Sequence, residues 1–186
     1  MSRLPALLLT GGASRRMGTD KATIEWRGET LAARAARVLA EVCDPVIEVG
    51  SGVSEMRAVR EAPSGAGPLA ALVAGVDALR TVGPVVVLAC DMPFVDPPLV
   101  QLLAEWPGAG TVIPRCRDRL QYGCARYGRA AIIAARLARL RGRSALRIAS
   151  IDGYEVVAPQ LWHTVAPANA LDDIDTPEDR ARTIGP

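Results

Sequence analysis

The stretch PVVVLACDMPF, residues 84–94, decides the fold. Its first half is a continuous aliphatic run that begins after Pro84, and its apolar residues do not alternate with polar ones. A short strand of this kind is buried on both faces, which is typical of the middle of a parallel sheet that helices cover on both sides. Residues 84–89 therefore predict a central strand, and Asp91 follows directly at its end.

Short aliphatic runs alternate with amphipathic stretches on both sides of this strand. Further strands are predicted at residues 4–9, 45–49, 111–114, 122–127 and 154–157. Helices are predicted at residues 30–42 and 129–140, from Pro68 onward, from a cap at Asp96-Pro97-Pro98 to Trp106, and after a cap at Thr176. Such alternation predicts an α/β fold with a mostly parallel central sheet flanked by helices.

Composition and charge exclude several classes of protein. With 186 residues, 49% of them hydrophobic, the chain fits one globular domain spanning residues 1–186. A net charge of +2 and a single phenylalanine offer no broad basic surface or aromatic platform, so no nucleic-acid partner is expected. No apolar run approaches membrane-spanning length and the first one is too short for a signal peptide, so we expect a cytoplasmic protein with no membrane partner. The four cysteines form no C-x-x-C pair and there is one histidine, so we expect reduced, mostly buried thiols and no zinc site.

The loop TGGASRRMGTDK, residues 10–21, follows the first predicted strand. It ends in Lys21, the only lysine among the 22 lysine and arginine residues, which indicates a position that needs a compact ammonium. The Gly11-Gly12 pair lets backbone amides approach an anion, and the Arg15-Arg16 pair adds positive charge. The spacing matches neither a P-loop nor a dinucleotide fingerprint, so the loop predicts phosphate binding by another geometry.

Carboxylates lie in two other loops, one directly after the central strand and one directly before the last predicted helix. Asp91 stands at the end of an apolar strand, where a carboxylate costs free energy unless a cation or hydrogen bonds compensate its charge. It is therefore either a ligand of Mg²⁺ or the cap of a turn before Pro93. In the run Asp172-Asp173-Ile174-Asp175, either Asp173 or Asp175 is a candidate second ligand, with ordinary helix capping as the alternative. Proximity of this run to Asp91 would favour the metal interpretation.

Together these segments resemble the molybdenum cofactor guanylyltransferase family, within the nucleotidyltransferases of Rossmann-like α/β fold. The resemblance spans nearly the whole chain, and its first segment is the most specific. The segments that carry it are Leu9-Thr10-Gly11-Gly12, Arg16-Met17-Gly18, Asp20-Lys21, Gly67-Pro68-Leu69, Cys90-Asp91-Met92-Pro93-Phe94 and Asp175-Thr176-Pro177-Glu178-Asp179.

The resemblance implies a three-layer fold and the transfer of GMP from GTP to molybdopterin, the organic part of the molybdenum cofactor. Pyrophosphate is released and the guanine dinucleotide form of the cofactor is produced. Mg²⁺ is the implied cofactor, with Asp91 as its implied ligand and Asp175 as the second ligand expected from the acidic run. Arg16, Lys21 and Asp91 are the implied catalytic residues. Further implied partners are other molybdenum cofactor biosynthesis proteins and the acceptor molybdoenzymes. The implied nucleotide-binding residues are Leu9, Thr10, Gly11, Gly12, Lys21, Glu61 and Asp91.

Some positions depart from the family's pattern and leave alternatives open. Thr10 stands where alanine is usual, and Glu61 stands where an aspartate often contacts guanosine. Asp173 and Asp175 replace asparagines and are also familiar from molybdopterin cytidylyltransferases, so CTP is the alternative nucleotide. GTP is favoured because guanine presents an N1 proton and an amine that a carboxylate can accept. A non-catalytic nucleotide-binding or cofactor-binding protein of the same fold is a further alternative, which would release no pyrophosphate.

Two groups of arginines are candidates for the acceptor's phosphate or, equally, for a solvated surface. His163 has no catalytic partner in sequence, and the tryptophans are interpreted as packing residues. The arginine groups are Arg115, Arg117 and Arg119, and Arg141, Arg143 and Arg147.

Overall fold

The computed structural model describes residues 3–11, 20–150 and 153–184. The strands, in chain order, are β1 (Ala6–Leu9), β2 (Glu25–Trp26), β3 (Glu29–Thr30), β4 (Val46–Val49), β5 (Arg57–Val59), β6 (Val85–Ala89), β7 (Val112–Cys116), β8 (Arg119–Leu120), β9 (Cys124–Tyr127) and β10 (Glu155–Val157). The α-helices are α1 (Leu31–Val42), α2 (Pro68–Leu79), α3 (Pro97–Ala104), α4 (Arg129–Leu140), α5 (Pro159–Trp162) and α6 (Pro177–Ile184). Lys21–Thr23 and Leu146–Ser150 form 3-10 helices.

Strand β6 lies in the middle of the sheet, as its unbroken aliphatic run predicts. The strand order is β10-β7-β9-β6-β1-β4-β5, and β8 pairs with β7. Strand β1 pairs in parallel with both β4 and β6, whereas β9 runs antiparallel to β6 and β7. The predicted mostly parallel sheet is confirmed. Its central strands end at one common edge, which is where open α/β sheets bind ligands.

Helices cover both faces of the sheet. Ala6 and Leu8 of β1 are buried on the face that carries α1 and α3, while Leu7 and Leu9 are buried on the face that carries α2 and α4. Successive side chains of a strand point to opposite faces, so a strand that is apolar at every position has to be covered twice. The predicted three-layer α/β architecture is confirmed.

The end of α3 differs from the prediction. The helix stops at Ala104 instead of Trp106, and the side chain of Asp96 makes no capping hydrogen bond. Proline lacks a backbone N–H, so Pro98 removes one of the two amides that an N-cap side chain can engage. The buried Arg126 donates to the carbonyls of Ala104 (3.3 Å) and Trp106 (2.7 Å), and these interactions hold the chain outside the helix.

The other predicted helices and strands are confirmed with small shifts of their ends. The sequence does not predict strands β2, β3, β5 and β8 or helix α5, because these short segments lack both a continuous aliphatic run and a clear period. Within the described ranges, no helix is both long and apolar enough to cross a bilayer.

The four cysteines are free and buried, as predicted. Burial raises the pKa of Cys43 and that of Cys124 to about 12, so both thiols stay protonated and unreactive at neutral pH.

We expect Leu8→Ala to lower the free energy of unfolding by about 2–5 kcal/mol, because Leu8 is 0% exposed between the sheet and its helices. Urea denaturation followed by circular dichroism measures this loss. Leu140→Ala is the matched control, since Leu140 is 84% exposed, and it should change the same free energy by less than about 0.5 kcal/mol. Equal losses in both variants would contradict the placement of β1 in the core.

Candidate active site

Lys21 and two aspartates from distant parts of the chain meet at the carboxyl edge of the sheet. The Lys21 ammonium donates a hydrogen bond to Asp175 Oδ1 at 2.6 Å and lies 3.5 Å from Asp91 Oδ2. Asp20 caps the 3-10 turn that carries Lys21 by accepting from the Ala22 amide at 3.1 Å. The side chains of Lys21 and Asp91 are 17% and 25% exposed, so the pair is sheltered and still open to a ligand.

The pKa shifts in this cluster follow from its charges. Burial acts to lower the pKa of Lys21, but the hydrogen bond to Asp175 and the charges of Asp91 and Asp175 outweigh it, so the pKa is raised. Burial raises the pKa of Asp91, and so do the charges of Asp175 and Asp173, against the opposing effect of Lys21. Burial and the charge of Asp175 also raise the pKa of Asp173. The cluster thus holds more negative charge than its lysine balances.

A backbone hydrogen bond and a small apolar cluster bring residues 172–175 to Asp91. The amide of Ile174 donates to the carbonyl of Asp91 at 2.9 Å. The buried side chain of Ile174 packs with Trp26 of β2 and with Phe94, whose ring meets that of Trp26 edge-on at 5.3 Å between centroids. Anchored in this way, Ile174 places its two neighbouring aspartates beside Asp91.

The start of α6 is capped as predicted. Thr176 Oγ1 accepts from the Asp179 amide at 3.1 Å, and the Asp179 carboxylate accepts from the Thr176 amide at 3.0 Å. This reciprocal capping box uses Asp179. The carboxylates of Asp173 and Asp175 therefore do not cap α6.

The first of two adjoining cavities, which we call the base cavity, has a volume of about 300 Å³. Thr10, Gly11, Gly50 and Ser51 form part of its wall together with Glu61. Glu61 is buried, and its Oε2 lies 3.8 Å from the position that a Cβ on Gly11 would take. Its Oε1 accepts from the amide of Gly65 at 2.8 Å, which orients the carboxylate.

The second cavity, which we call the phosphate cavity, has a volume of about 430 Å³. Thr10 and Gly11 line both cavities, so the two share a wall. Lys21, Asp91 and Asp173 lie on the wall of the phosphate cavity. The site therefore consists of two compartments, one with a buried carboxylate and one with the charged cluster.

The structure places most of the predicted site residues around these cavities. Gly12 and Arg16 lie outside the described residues. Among the described residues, no group of three or more His, Cys, Asp and Glu side chains is arranged as a metal site, and Asp91 and Asp175 approach each other through Lys21. The predicted residues that line one or both cavities are Leu9, Thr10, Gly11, Lys21, Glu61, Asp91 and Asp173.

The two arginine groups lie in different surroundings. Arg117 pairs with Asp172 at 3.1 Å. Arg143 and Arg147 line a third cavity of about 380 Å³, which shares Tyr122 with the phosphate cavity.

Sequence reasoning missed Glu48, a fully buried carboxylate that accepts a hydrogen bond from Thr10 Oγ1 at 2.5 Å. Its one signal in the sequence is that it is the only charged residue in the apolar run 46–49. Such a residue has to be compensated inside the fold, but the sequence does not name the partner.

The sequence model of the MobA-like NTP transferase domain matches residues 6–155. The chain belongs to the MobA-like NTP transferase family. It is 31% identical over 190 residues to a probable molybdenum cofactor guanylyltransferase of Chloroflexus aggregans, with 95% of this chain and 91% of that protein covered. It is 40% identical over 112 residues to a molybdenum cofactor guanylyltransferase of Pseudomonas putida, with 56% of this chain and 58% of that protein covered.

The fold is shared with molybdopterin-guanine dinucleotide biosynthesis protein A from Archaeoglobus fulgidus. That structure matches with a TM-score of 0.81 and 24% identity over 97% of each chain. Membership of the MobA-like NTP transferase family makes this protein a nucleotidyltransferase, and the resemblance stated from the sequence is confirmed.

The pKa of Lys21 can be measured directly, because the only lysine gives a single side-chain resonance in NMR of protein labelled with ¹³C-lysine. We expect a pKa above the ordinary value of 10.5. Asp175→Asn should lower it, since burial persists while the main opposing hydrogen bond loses its charge. The ion pairs therefore stabilise the folded state at neutral pH, and this contribution is lost as the pH rises through the raised pKa.

Asp77→Asn is the matched control for this titration. Asp77 forms an ion pair of 2.6 Å with Arg136, far along the chain from Lys21, and its neutralisation should leave the Lys21 pKa unchanged. A Lys21 pKa at or below 10.5, or one that Asp175→Asn does not move, would contradict the described cluster.

Proposed function

We propose that this protein transfers GMP from GTP to the terminal phosphate of molybdopterin, with release of pyrophosphate. The observation that carries the proposal is the shared wall of the two cavities at Thr10 and Gly11. A nucleotide consists of a base and a phosphate chain joined through a ribose, and it needs two adjoining compartments of this kind. The names of the Chloroflexus and Pseudomonas relatives support GTP and molybdopterin as the substrates.

The reaction is an in-line displacement at the α-phosphorus of GTP. An oxygen of the acceptor's phosphate forms a new P–O bond, and the bond from the α-phosphorus to the bridging oxygen breaks. The electron pair leaves with pyrophosphate, so no covalent enzyme intermediate is required. The ammonium of Lys21 neutralises charge on the phosphates, and Arg16, assigned from the sequence, adds a second positive charge. Catalysis then rests on positioning and electrostatic stabilisation.

The carboxylate cluster suits Mg²⁺. In the described part of the chain, the carboxylates of Asp91, Asp173 and Asp175 face the single ammonium of Lys21, and the pKa of Asp91 is raised by burial and by the charges of its neighbours. Carboxylate oxygens are the ligands that Mg²⁺ takes together with substrate phosphates. We assign Mg²⁺ to Asp91 and Asp175, where it would neutralise charge on the triphosphate.

Glu61 is the residue to which we assign the choice of base. A carboxylate accepts from both the N1 proton and the exocyclic amine of guanine, whereas cytosine presents no matching pair of donors. Glu61 Oε1 is already oriented by the Gly65 amide. Its second oxygen lies on the side of Gly11, in the wall of the base cavity.

We also infer one nucleotidyltransferase domain over residues 1–186. The family match ends at residue 155, but the chain beyond it stays attached to the same structure. Strand β10 pairs in parallel with β7, and Asp175 contacts Lys21. The remaining partners, the absence of a nucleic-acid partner and the cytoplasmic location stay predictions from the sequence.

Calorimetric titration with GTP and with CTP in the presence of Mg²⁺ tests the base choice. We expect tighter binding of GTP, and Glu61→Gln should weaken it about tenfold because a charged bidentate acceptor is worth about 1–3 kcal/mol. Affinity for CTP should hardly change. Asp91→Ala should weaken the part of GTP binding that depends on Mg²⁺.

Glu105→Gln is the control for this titration, because Glu105 is an exposed glutamate at the end of α3 and lines neither cavity of the site. Tighter binding of CTP than GTP by the wild type would move the assignment to a cytidylyltransferase. Binding of neither nucleotide would overturn the proposed function.

Lys21→Ala should lower kcat for pyrophosphate release by about 100-fold or more, because the ammonium acts on the phosphates. The variant should still fold, with a lower melting temperature because the ion pairs with Asp91 and Asp175 are lost. Lys21→Arg should recover only part of the rate, since a planar guanidinium is wider than an ammonium. A coupled pyrophosphate assay with molybdopterin as acceptor gives the rates, and thermal melting gives the stability. If Lys21→Ala loses its folded structure together with its activity, the catalytic role of Lys21 is refuted. If the wild type binds nucleotide but releases no pyrophosphate, a non-catalytic binding protein is favoured.

A further inference from the structure

Glu48 is a charged side chain inside β4 to which the proposed reaction gives no role. It is 0% exposed and stands between Ile47 and Val49, both buried. A carboxylate that is removed from water costs free energy unless hydrogen bonds compensate it. The groups that compensate Glu48 therefore indicate which parts of the fold it holds together.

Five donors meet the carboxylate of Glu48. Its Oε1 accepts from the Thr10 hydroxyl at 2.5 Å and from the amides of Gly52 and Val53 at 2.8 and 3.0 Å. Its Oε2 accepts from the amide and the hydroxyl of Ser54 at 2.8 and 2.5 Å. Burial acts to raise the pKa of Glu48, but the hydrogen bonds from Ser54, Thr10 and Val53 outweigh it and lower the pKa. The carboxylate is therefore ionised at neutral pH.

The Thr10 hydroxyl connects this carboxylate to the cavities of the site. Thr10 and Gly11 line both cavities, and their amides both donate to the carbonyl of Val49, at 3.1 and 3.2 Å. Gly50 and Ser51, which follow β4, line the base cavity. A Cβ on Gly50 would lie 2.1 Å from Thr10 Oγ1, so the loop backbone approaches this hydroxyl too closely for any other residue type.

We propose that Thr10 and Glu48 are positioning residues that hold the loop of residues 50–54 against the end of β1, and so fix the wall that the base cavity shares with the phosphate cavity. Glu48 acts through Thr10 and through the loop of residues 50–54, and its oxygens are engaged by these groups. The inference rests on the proposed function, because it takes the base cavity as the site of the nucleotide's base. Its consequence is that the end of β1 and the loop after β4 move together, so the base and the phosphates are aligned by one buried charge.

Thr10→Val tests the connection, because valine has the shape of threonine but cannot donate to Glu48. We expect the KM for the nucleotide to rise about tenfold, the effect of losing one hydrogen bond to a charged group, with the KM for the acceptor unchanged. Thr10→Ser keeps the hydroxyl and should restore the nucleotide KM to near the wild-type value. Thr164→Val is the matched control, since the Thr164 hydroxyl donates to the carbonyl of Leu161 at 2.6 Å and lines neither cavity.

Hydrogen exchange of the 50–54 amides in the nucleotide-free protein separates positioning from plain stability. Faster exchange in Thr10→Val together with a raised nucleotide KM supports the inference. Faster exchange with an unchanged nucleotide KM would leave Glu48 a purely structural residue and overturn it, and so would failure of Thr10→Ser to restore the KM.

A second variant and a second measurement apply where Thr10→Val does not fold or the wild type is inactive. If Thr10→Val does not fold, Glu48→Gln takes its place, since it keeps the shape of the side chain and loses its charge; a raised nucleotide KM is again expected, and an unchanged one overturns the inference. If the wild type releases no pyrophosphate, the proposed function fails, and the same variants are compared by their calorimetric affinity for GTP. A Thr10→Val affinity equal to that of the wild type would then overturn the inference separately.

Discussion

The charge on Asp91 has to be balanced by residues that lie elsewhere in the chain, and the arrangement of the site follows from this constraint. Strand β6 is apolar and buried on both faces, so it supplies no countercharge of its own. Lys21 comes from the segment after β1, the neighbour of β6, and Asp175 comes from residues held to Asp91 through the Ile174 amide. Lys21 and Asp91 therefore meet because one sheet edge collects the ends of neighbouring strands, and residues 172–175 join them through the backbone bond and the packing of Ile174.

Two carboxylates at this edge, the fully buried Glu48 and the partly buried Asp91, are compensated in opposite ways. Glu48 is saturated by five hydrogen bonds, its pKa is lowered, and its charge is fully used in holding neighbouring chain segments. Among the described residues, the nearest positive charge to Asp91 is the ammonium of Lys21 at 3.5 Å, whereas Asp173 and Asp175 add negative charge nearby. Burial and these negative charges raise the pKa of Asp91. A carboxylate whose hydrogen bonds are all made holds the surrounding chain in place. A carboxylate that lacks countercharge instead attracts a cation or a metal bound to phosphate. The same residue chemistry thus serves structure at Glu48 and, in the proposed function, ligand binding at Asp91.

The elements that could be predicted are those with a local physical signal. Helices α1 and α4 follow from the spacing of their apolar residues, and β6 follows from its unbroken aliphatic run. Lys21 and Asp91 stand out as residue types that their surroundings do not explain. By contrast, the hairpin of β2 and β3 is too short to show periodicity, and its Trp26 becomes significant only because it packs against Phe94 and Ile174.

The amino-acid sequence by itself determined the α/β class, the central position of β6 and the loops in which charged residues gather, because all of these depend on neighbours in the chain. It left open which carboxylate pairs with Lys21, what holds residues 172–175 to Asp91 and what compensates Glu48. The tertiary structure decided these points: it joins Ile174 to Asp91, Asp175 to Lys21 and Thr10 to Glu48. These are contacts between segments that are distant in sequence, and their partners are set by the order and register of the strands, which no local pattern contains.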